Sequence, residues 1–302
     1  MSQGVQISGR REEFALQHAD FEKISRIAKS GWGLSLDEAK KPLIKSRLSK
    51  RLRALGLASF DDYCRIIEVA GQEERDHFVS ALTTNVTHFF RELHHFEYLE
   101  TELLPGLIAR AKAGERIRIW SAGCSSGKEP YSIAATILKL DPSATSYDLK
   151  ILASDVDDVV LRTAEAGKYH PSDSTFPTEQ HKNIVFGSTQ ASQNEWTVRP
   201  ELKPLVAFRN LNLMAEWPMT GLFDIIMCRN VAIYFDKATQ AQLWAQFCKY
   251  LKVQGHLFIG HSERIGEPDK FGLTMCNITT YSYGGSPSAQ SNRVDGDPKH
   301  GA

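Results

Sequence analysis

Between residues 115 and 260 the chain alternates short apolar runs with helix-length segments, and this alternation narrows the possible folds more than any other feature. Arg116-Ile117-Arg118-Ile119-Trp120 reads as a strand that runs into the turn Ser121-Ala122-Gly123. A helix is predicted over 129–140, with Pro130 tolerated in its first turn. Lys150-Ile151-Leu152-Ala153-Ser154 reads as a second strand and 157–167 as a second helix. Phe223-Asp224-Ile225-Ile226-Met227-Cys228 is a buried strand, 237–251 a helix, and His256-Leu257-Phe258-Ile259-Gly260 another strand. Strands joined through helices make a parallel sheet, so this region predicts an α/β domain. From about 171 to 204 the alternation is interrupted. There Ile184-Val185-Phe186 and Glu195-Trp196-Thr197-Val198 flank a polar loop at 188–194, which predicts a small β insertion.

Residues 20 to about 82 follow a helical period instead. Phe21, Ile24, Ile27 and Ala28 share a face, as do Leu43, Ile44, Leu48, Leu52 and Leu55, with Gly56 as a stop. Ser59-Phe60-Asp61-Asp62 opens a helix that Gly71 ends, and Phe78, Ala81 and Leu82 begin a further apolar face. This predicts a small all-helical unit. The organisation expected is a polar extension at 1–19, helical domain and linker at 20–88, main domain at 89–283, and a disordered Gly/Ser/Pro-rich tail at 284–302.

Lys plus Arg and Asp plus Glu number 36 each, so the formal net charge is zero, which argues against a general nucleic-acid binder. No apolar run is long enough to span a bilayer, and residues 1–20 lack the apolar stretch of a secretory signal, so a cytoplasmic protein is expected. Cys64, Cys124, Cys228, Cys248 and Cys276 form no C-x-x-C pair, which predicts reduced, packed thiols. No metal site is expected: neighbours on a helix, such as His94 and His95, do not share a face.

The chemistry concentrates in Gly123-Cys124-Ser125-Ser126-Gly127-Lys128-Glu129-Pro130, which follows the first strand. Glycines there let a ligand approach the backbone at the carboxyl end of the sheet, beside a helix N-terminus. Asp155 closes the second strand, where an acid suits a ribose diol; it would equally suit a cap for the helix near Asp157. Together these features point to a nucleoside-containing cofactor. The loop is neither G-x-G-x-x-G nor a G-K-S/T loop, which weighs against dehydrogenases and P-loop enzymes. Between the two units, Thr83-Thr84-Asn85-Val86-Thr87-His88-Phe89-Phe90-Arg91 mixes polar and aromatic residues, as a functional linker does.

The chain resembles the CheR family of chemotaxis receptor methyltransferases. The resemblance rests on 84–92 (TNVTHFFRE), 120–133 (WSAGCSSGKEPYSI), 153–157 (ASDVD), 228–236 (CRNVAIYFD) and Gly260-His261-Ser262-Glu263, and runs from about 20 to 283. It implies a Rossmann-like S-adenosylmethionine-dependent methyltransferase domain with a small antiparallel β subdomain, preceded by an all-helical N-terminal domain. It implies S-adenosylmethionine as methyl donor and glutamate side chains of methyl-accepting chemotaxis receptors as acceptors, giving methyl esters in adaptation, and a cytoplasmic enzyme recruited to receptor arrays. Carried over by position, Asn85, Thr87, Arg91, Gly123, Glu129, Asp155, Asn212, Leu213, Arg229 and Asn230 would line the cofactor.

A glutamate is already ionised near neutral pH, so the reaction needs positioning and exclusion of water rather than a general base. Arg91 and Tyr234 are the candidates to orient the acceptor carboxylate, since a guanidinium fork matches it. Read alone, Arg91 suits an ion pair with Glu92 or Glu97, Tyr234 a core position and Asn230 a turn. The basic residues Lys40, Lys41, Lys45, Arg47, Lys50, Arg51 and Arg53 suit either a solvated face or a surface that meets acidic receptor helices. Two departures from the family stand out. Lys128 replaces a common acid, which implies different electrostatics near the cofactor. Phe186 precedes Gly187 where some members use an arginine to grip a receptor's tethering peptide, which implies a tether-independent enzyme. A methyltransferase with another acceptor and a non-catalytic sensor are the alternatives. A monomer is expected, since no exposed heptad pattern appears.

Overall fold

The computed structural model describes residues 14–188 and 194–285. The N-terminal part is four helices: α1 (His18–Trp32), α2 (Lys41–Leu55), α3 (Phe60–Val69) and α4 (Gln72–Leu82). On α1, Phe21, Ile24, Ala28 and Trp32 recur every three or four residues and are buried. Gly33 stops the helix at φ 72°, and a Cβ there would meet the Met214 side chain at 2.7 Å. Ser59 caps α3 by accepting from the Asp62 amide at 3.1 Å. Phe78, Ala81 and Leu82, read as the beginning of a further apolar face, lie in the second half of α4, whose polar first turns hid its start.

Next come α5 (Leu93–Tyr98) and α6 (Leu104–Lys112), joined by a π-helical turn, then β1 (Ile117–Ala122), α7 (Lys128–Leu140), β2 (Leu149–Asp155) and α8 (Asp158–Ala166). After β3 (Lys168–Tyr169), α9 (Glu179–Phe186) and β4 (Trp196–Thr197), the main sheet resumes with β5 (Val206–Asn210) and β6 (Phe223–Cys228). It closes with α10 (Lys237–Tyr250), β7 (Leu251–Ile259), β8 (Leu273–Asn277) and β9 (Thr280–Tyr283).

The seven-stranded sheet has the order β5-β2-β1-β6-β7-β9-β8. The pairs from β5 to β7 are parallel, whereas β9 runs antiparallel to both β7 and β8. The chain leaves β1 first towards β2 and β5 and later returns to its other side with β6. That reversal opens a crevice at the carboxyl ends of β1 and β6, where open α/β sheets bind ligands.

A separate two-stranded antiparallel sheet pairs β3 with β4. Ile184-Val185-Phe186 is not its partner strand, as the sequence suggested, but the last turn of α9. Thr178 starts that helix by accepting from the His181 amide at 3.3 Å, and three apolar residues are too few to reveal a period. The polar loop falls partly, and the expected disordered tail and polar extension mostly, outside the described residues.

Alternating strand residues feed two cores. Ile117, Ile119, Ile151, Ala153, Ile225, Met227 and Phe258 face α5–α9. Trp120, Ala122, Ile226, Cys228, Leu257 and Ile259 face the other way, into one continuous core with Phe247 of α10 and with the helices α1–α4. The N-terminal helices thus share a core with the sheet. Polar contacts bind the same join: Lys29 pairs with Asp236, and the Ser35 amide donates to the Tyr234 carbonyl at 2.7 Å.

Trp120 is the centre of that core. It is fully buried, lies edge-on to Trp217 at 4.8 Å and donates to Ser154 Oγ at 2.8 Å. Trp120→Ala is expected to destabilise the chain by about 3–5 kcal/mol. Urea unfolding monitored on the helical part and on the sheet should then shift together; separate transitions would show that the two do not fold as one unit.

Candidate active site

A cavity of about 390 Å³ opens at the carboxyl end of β1 and β6. One wall is the segment 83–91, which leaves α4 and crosses the mouth of the crevice. Arg47 donates to the carbonyls of Thr83 and Ala81, and the Tyr234 hydroxyl both accepts from the Thr84 amide at 3.0 Å and donates to its carbonyl at 2.9 Å. Asn85 donates to Asp157 at 2.8 Å, and its carbonyl accepts from Ser125 Oγ at 3.1 Å. Phe89, fully buried, stacks on Phe176 at 4.8 Å. These contacts hold a segment without regular structure in one path.

The opposite wall is the β1–α7 turn. Gly123 takes φ 79°, and a Cβ there would lie 2.3 Å from Val231 Cγ2, so only glycine lets β1 and the β6 exit loop close together. Asp155 turns its carboxylate under this turn and accepts from the amides of Ser125 at 2.7 Å and Asp157 at 3.1 Å. Burial pushes its carboxyl up to about 6, against the pull of those amides. Glu129, in the first turn of α7, accepts from Ser121 Oγ at 2.6 Å and from Arg229 at 3.0 Å. Burial also raises its carboxyl, opposed by the Arg229 guanidinium.

Below the cavity lies a buried polar hub. The Arg229 side chain is 1% exposed and reaches Glu129, Glu92 at 3.2 Å and the Arg91 carbonyl. Glu92 also accepts from His261 Nδ1 at 2.7 Å and from Asn230 Nδ2 at 3.3 Å. Burial opposes ionisation of Glu92, yet Arg229 and His261 outweigh it and hold its carboxyl down to about 2. Beside it His95 is buried, and burial reinforced by Arg229 keeps its imidazole down at about 3.

Every residue expected to line the cofactor or orient the acceptor lines this one cavity: Asn85, Thr87, Arg91, Gly123, Glu129, Asp155, Asn212, Leu213, Arg229, Asn230 and Tyr234. They come from five separate stretches of chain, and their order matches one family. A family model described as "CheR methyltransferase, SAM binding domain" matches residues 85–281, and one described as "CheR methyltransferase, all-alpha domain" matches 19–83. The chain belongs to the CheR methyltransferase family.

Curated relatives agree. A probable chemotaxis protein methyltransferase of Rhizobium etli is 46% identical over 83% of this chain and 94% of its own length. Chemotaxis protein methyltransferases of Borreliella burgdorferi (39%, covering 82% and 88%) and Escherichia coli (38%, covering 90% and 93%) are similar over comparable spans. The cofactor of this CheR domain is S-adenosylmethionine, and the donor set fits it. Two carboxylates, Asp155 and Glu129, face the cavity and suit a diol and a cationic group, while Trp32, Val79, Val156, Leu213 and Val231 supply apolar wall.

Several side chains in this CheR protein make contacts that the sequence did not reveal. Arg229 lines the cavity and also braces Glu129 and the linker from below. Asn212 donates to the Gly31 carbonyl at 2.8 Å and accepts from the Met214 amide at 2.9 Å, tying the end of α1 to the cavity rim. The basic stretch on α2 is only partly a free surface. Arg51 forks onto Glu74 at 2.9 Å, Lys41 lies over the Phe21 ring, and Lys40 reaches inwards over the Tyr234 ring at 5.4 Å. Phe186 is buried among Phe89, Tyr169, Phe176 and Trp196, so it belongs to the subdomain core. Cys276 is exposed, unlike the other four thiols. The rings of His94 and His95 approach to 4.2 Å, closer than helix geometry led us to expect, because both lie at the start of α5 beside the Glu92 turn.

Sequence reasoning missed Glu92, His261 and Glu263. Glu263 is 4% exposed and accepts from the amides of Asn230 and Ile233, fixing the loop after β6. One signal was available for Glu92: an acid between Phe89-Phe90 and Phe96 must be buried with a cation or remain uncompensated.

Glu92→Ala, which leaves Arg229 with Glu129 as its one carboxylate partner among the described residues, is expected to destabilise the protein by about 2–4 kcal/mol. A carboxylate whose folded value is depressed adds stability that is complete above its ordinary value of 4.5 and lost as pH falls through about 2. Neutral His95 acts in the same direction, because the unfolded chain gains a proton below 6.5 while the folded one gains it only near 3. Glu92→Gln should therefore be less stable than the parent near neutral pH, with the gap in urea midpoint closing in acid. A gap independent of pH would remove Glu92 from the hub.

Proposed function

We propose that this chain is a protein-glutamate O-methyltransferase that esterifies glutamates of methyl-accepting chemotaxis receptors, the activity behind adaptation in chemotaxis. The observation that carries this reading is Arg91. Its guanidinium lines the cavity and, among the described residues, has no carboxylate within ion-pair distance; it donates only to the Val86 carbonyl at 3.2 Å. The pairings that would have made it a surface residue are not formed, because Glu92 is taken by Arg229. A cation held at a cavity without a carboxylate partner suits an incoming carboxylate.

Bound S-adenosylmethionine supplies an electrophilic methyl group on a sulfonium. Asp155 accepts the ribose hydroxyls, Glu129 holds a polar group of the amino-acid end, and Asn85, Thr87 and Leu213 line the remainder. Arg91 aligns the acceptor glutamate, already ionised, so that one carboxylate oxygen faces the methyl carbon. Tyr234 acts through the linker: its hydroxyl proton is given to Thr84, so it positions Arg91's segment rather than the acceptor itself. Catalysis is then alignment and exclusion of water, without a covalent intermediate.

The receptor helices are acidic in this reading and meet Lys50 and the exposed parts of Lys45, Arg47, Arg51 and Arg53, a contact that weakens with salt. No tethering peptide is needed, in keeping with Phe186 being buried. The enzyme acts as a cytoplasmic monomer at receptor arrays. Among the described residues no helix is long and apolar enough to cross a membrane.

Membranes carrying chemoreceptors, incubated with the enzyme and methyl-labelled S-adenosylmethionine, should yield label that mild base releases as methanol. Base-stable label would move the acceptor to nitrogen and end the glutamate reading. Arg91→Ala should fold normally and lose roughly 100-fold or more in turnover; wild-type turnover would remove Arg91 from the reaction.

Asp155 predicts a pH dependence. An ionised carboxylate accepts hydroxyl protons and a protonated one does so less well, so affinity for S-adenosylhomocysteine should be full above about 6 and fall as pH drops through it. Calorimetric titration of the parent against Asp155→Asn checks this; equal pH dependence in both would assign the effect to another group.

A further inference from the structure

Lys128 follows the glycine turn directly, and the sequence suggested that it alters the cofactor's electrostatics. It is not among the residues lining the cofactor cavity. Its side chain runs the other way, 6% exposed, into the seam between the linker and the subdomain built on β3 and β4. There its ammonium donates to the Thr87 carbonyl at 3.2 Å and to the Asp173 carbonyl. The Tyr169 ring lies 5.9 Å away.

Among the described residues, no carboxylate oxygen lies within ion-pair distance of this ammonium. A buried cation without a carboxylate partner is unfavourable and relies on the hydrogen bonds it donates, here to two neutral carbonyls. The two carbonyls belong to segments far apart in sequence, with 85 residues of chain between 87 and 173. The Phe89 ring against Phe176 seats the same two segments, but apolar contact alone permits sliding, whereas two hydrogen bonds from one ammonium set the register. Thr87 is itself a wall of the cofactor cavity, so whatever fixes its carbonyl fixes that wall.

We propose that Lys128 is a positioning residue: its buried ammonium clamps the linker at Thr87 to the subdomain at Asp173 and so holds the cofactor-binding wall closed. The clamp couples the subdomain to the cofactor. Movement of 170–175, which borders an open groove shared with Thr87 and His88, is transmitted to the cavity through one side chain. The proposal rests on reading the linker as a cofactor wall, and the experiment separates the two.

Hydrogen exchange is measured on the full chain without cofactor, for Lys128→Met against the parent, followed by S-adenosylhomocysteine titration with Asp155→Asn as a second variant. The Met side chain keeps the length and apolar stem but cannot donate. Exchange at the Thr84 and Phe90 amides, which donate to Tyr234 and Ser132, should rise in Lys128→Met while α10 and β6 keep the parent's protection. Affinity should fall about tenfold, roughly 1.4 kcal/mol. Unchanged linker exchange overturns the clamp, as does a rise spread through α10 and β6, which would make Lys128 an ordinary packing residue. Unchanged affinity in Lys128→Met beside a loss in Asp155→Asn overturns the proposal and leaves the cofactor site standing; unchanged affinity in both overturns the site itself. If Lys128→Met does not fold, Lys128→Arg, which can still donate to both carbonyls, should fold with the parent's linker exchange; its failure to fold would show that the donated bonds are not what the position requires.

Discussion

The Arg229 guanidinium is the point on which the site depends. It is almost wholly buried at the exit of β6 and meets Glu129 of α7, Glu92 and the backbone of Arg91 at once. A lone buried charge is unfavourable by several kcal/mol, so each of these groups is held by the need to neutralise the others. The sheet's switch point provides only a crevice. The hub turns that crevice into a defined site, because it ties the helix that carries Glu129 to the linker that carries Arg91.

The same logic explains why the helical part is needed. The linker has no regular structure of its own, and its path is set from both sides. The N-terminal helices share a core with one face of the sheet, so the end of α4 delivers Thr83 to the crevice at a fixed height. Tyr234, Asn85 and Lys128 then pin successive residues, and Phe89 is buried beyond them. The wall is assembled by tertiary contacts at nearly every position. Arg91 is left with its charge uncommitted because Glu92, its neighbour, is turned downwards at φ 57° into the hub.

Much of this was legible in the chain. The strand-helix alternation, the glycine turn after β1 and Asp155 at the end of β2 are local patterns with a period or a turn requirement, and they were read at nearly the right places. What escaped were the helical stretch from Leu93 to Lys112, broken by a π-helical turn that interrupts its period, and strands too short for a period to show. β5, β8 and β9 went unnoticed, and the end of α9 was taken for a strand because three apolar residues fit either structure. The candidate site was legible as a set of residues through family resemblance. Their contacts with the rest of the chain were not: Arg229 and Asn212, expected to line the cofactor, line the cavity and also brace its walls.

The sequence by itself determined the class of fold, because periodicity and glycine turns are properties of neighbouring positions, and the order of its motifs carried the family resemblance that named the residues around one cavity. Only the tertiary structure decided which charges neutralise one another. Arg91 and Lys128 each stand beside an acid in the chain and Arg229 does not, yet Arg229 is the one buried against two carboxylates, while Arg91 and Lys128 have no carboxylate partner among the described residues and donate to backbone carbonyls. That outcome depends on burial and on partners distant in sequence, since the energy of a charge is set by its surroundings rather than by its neighbours along the chain.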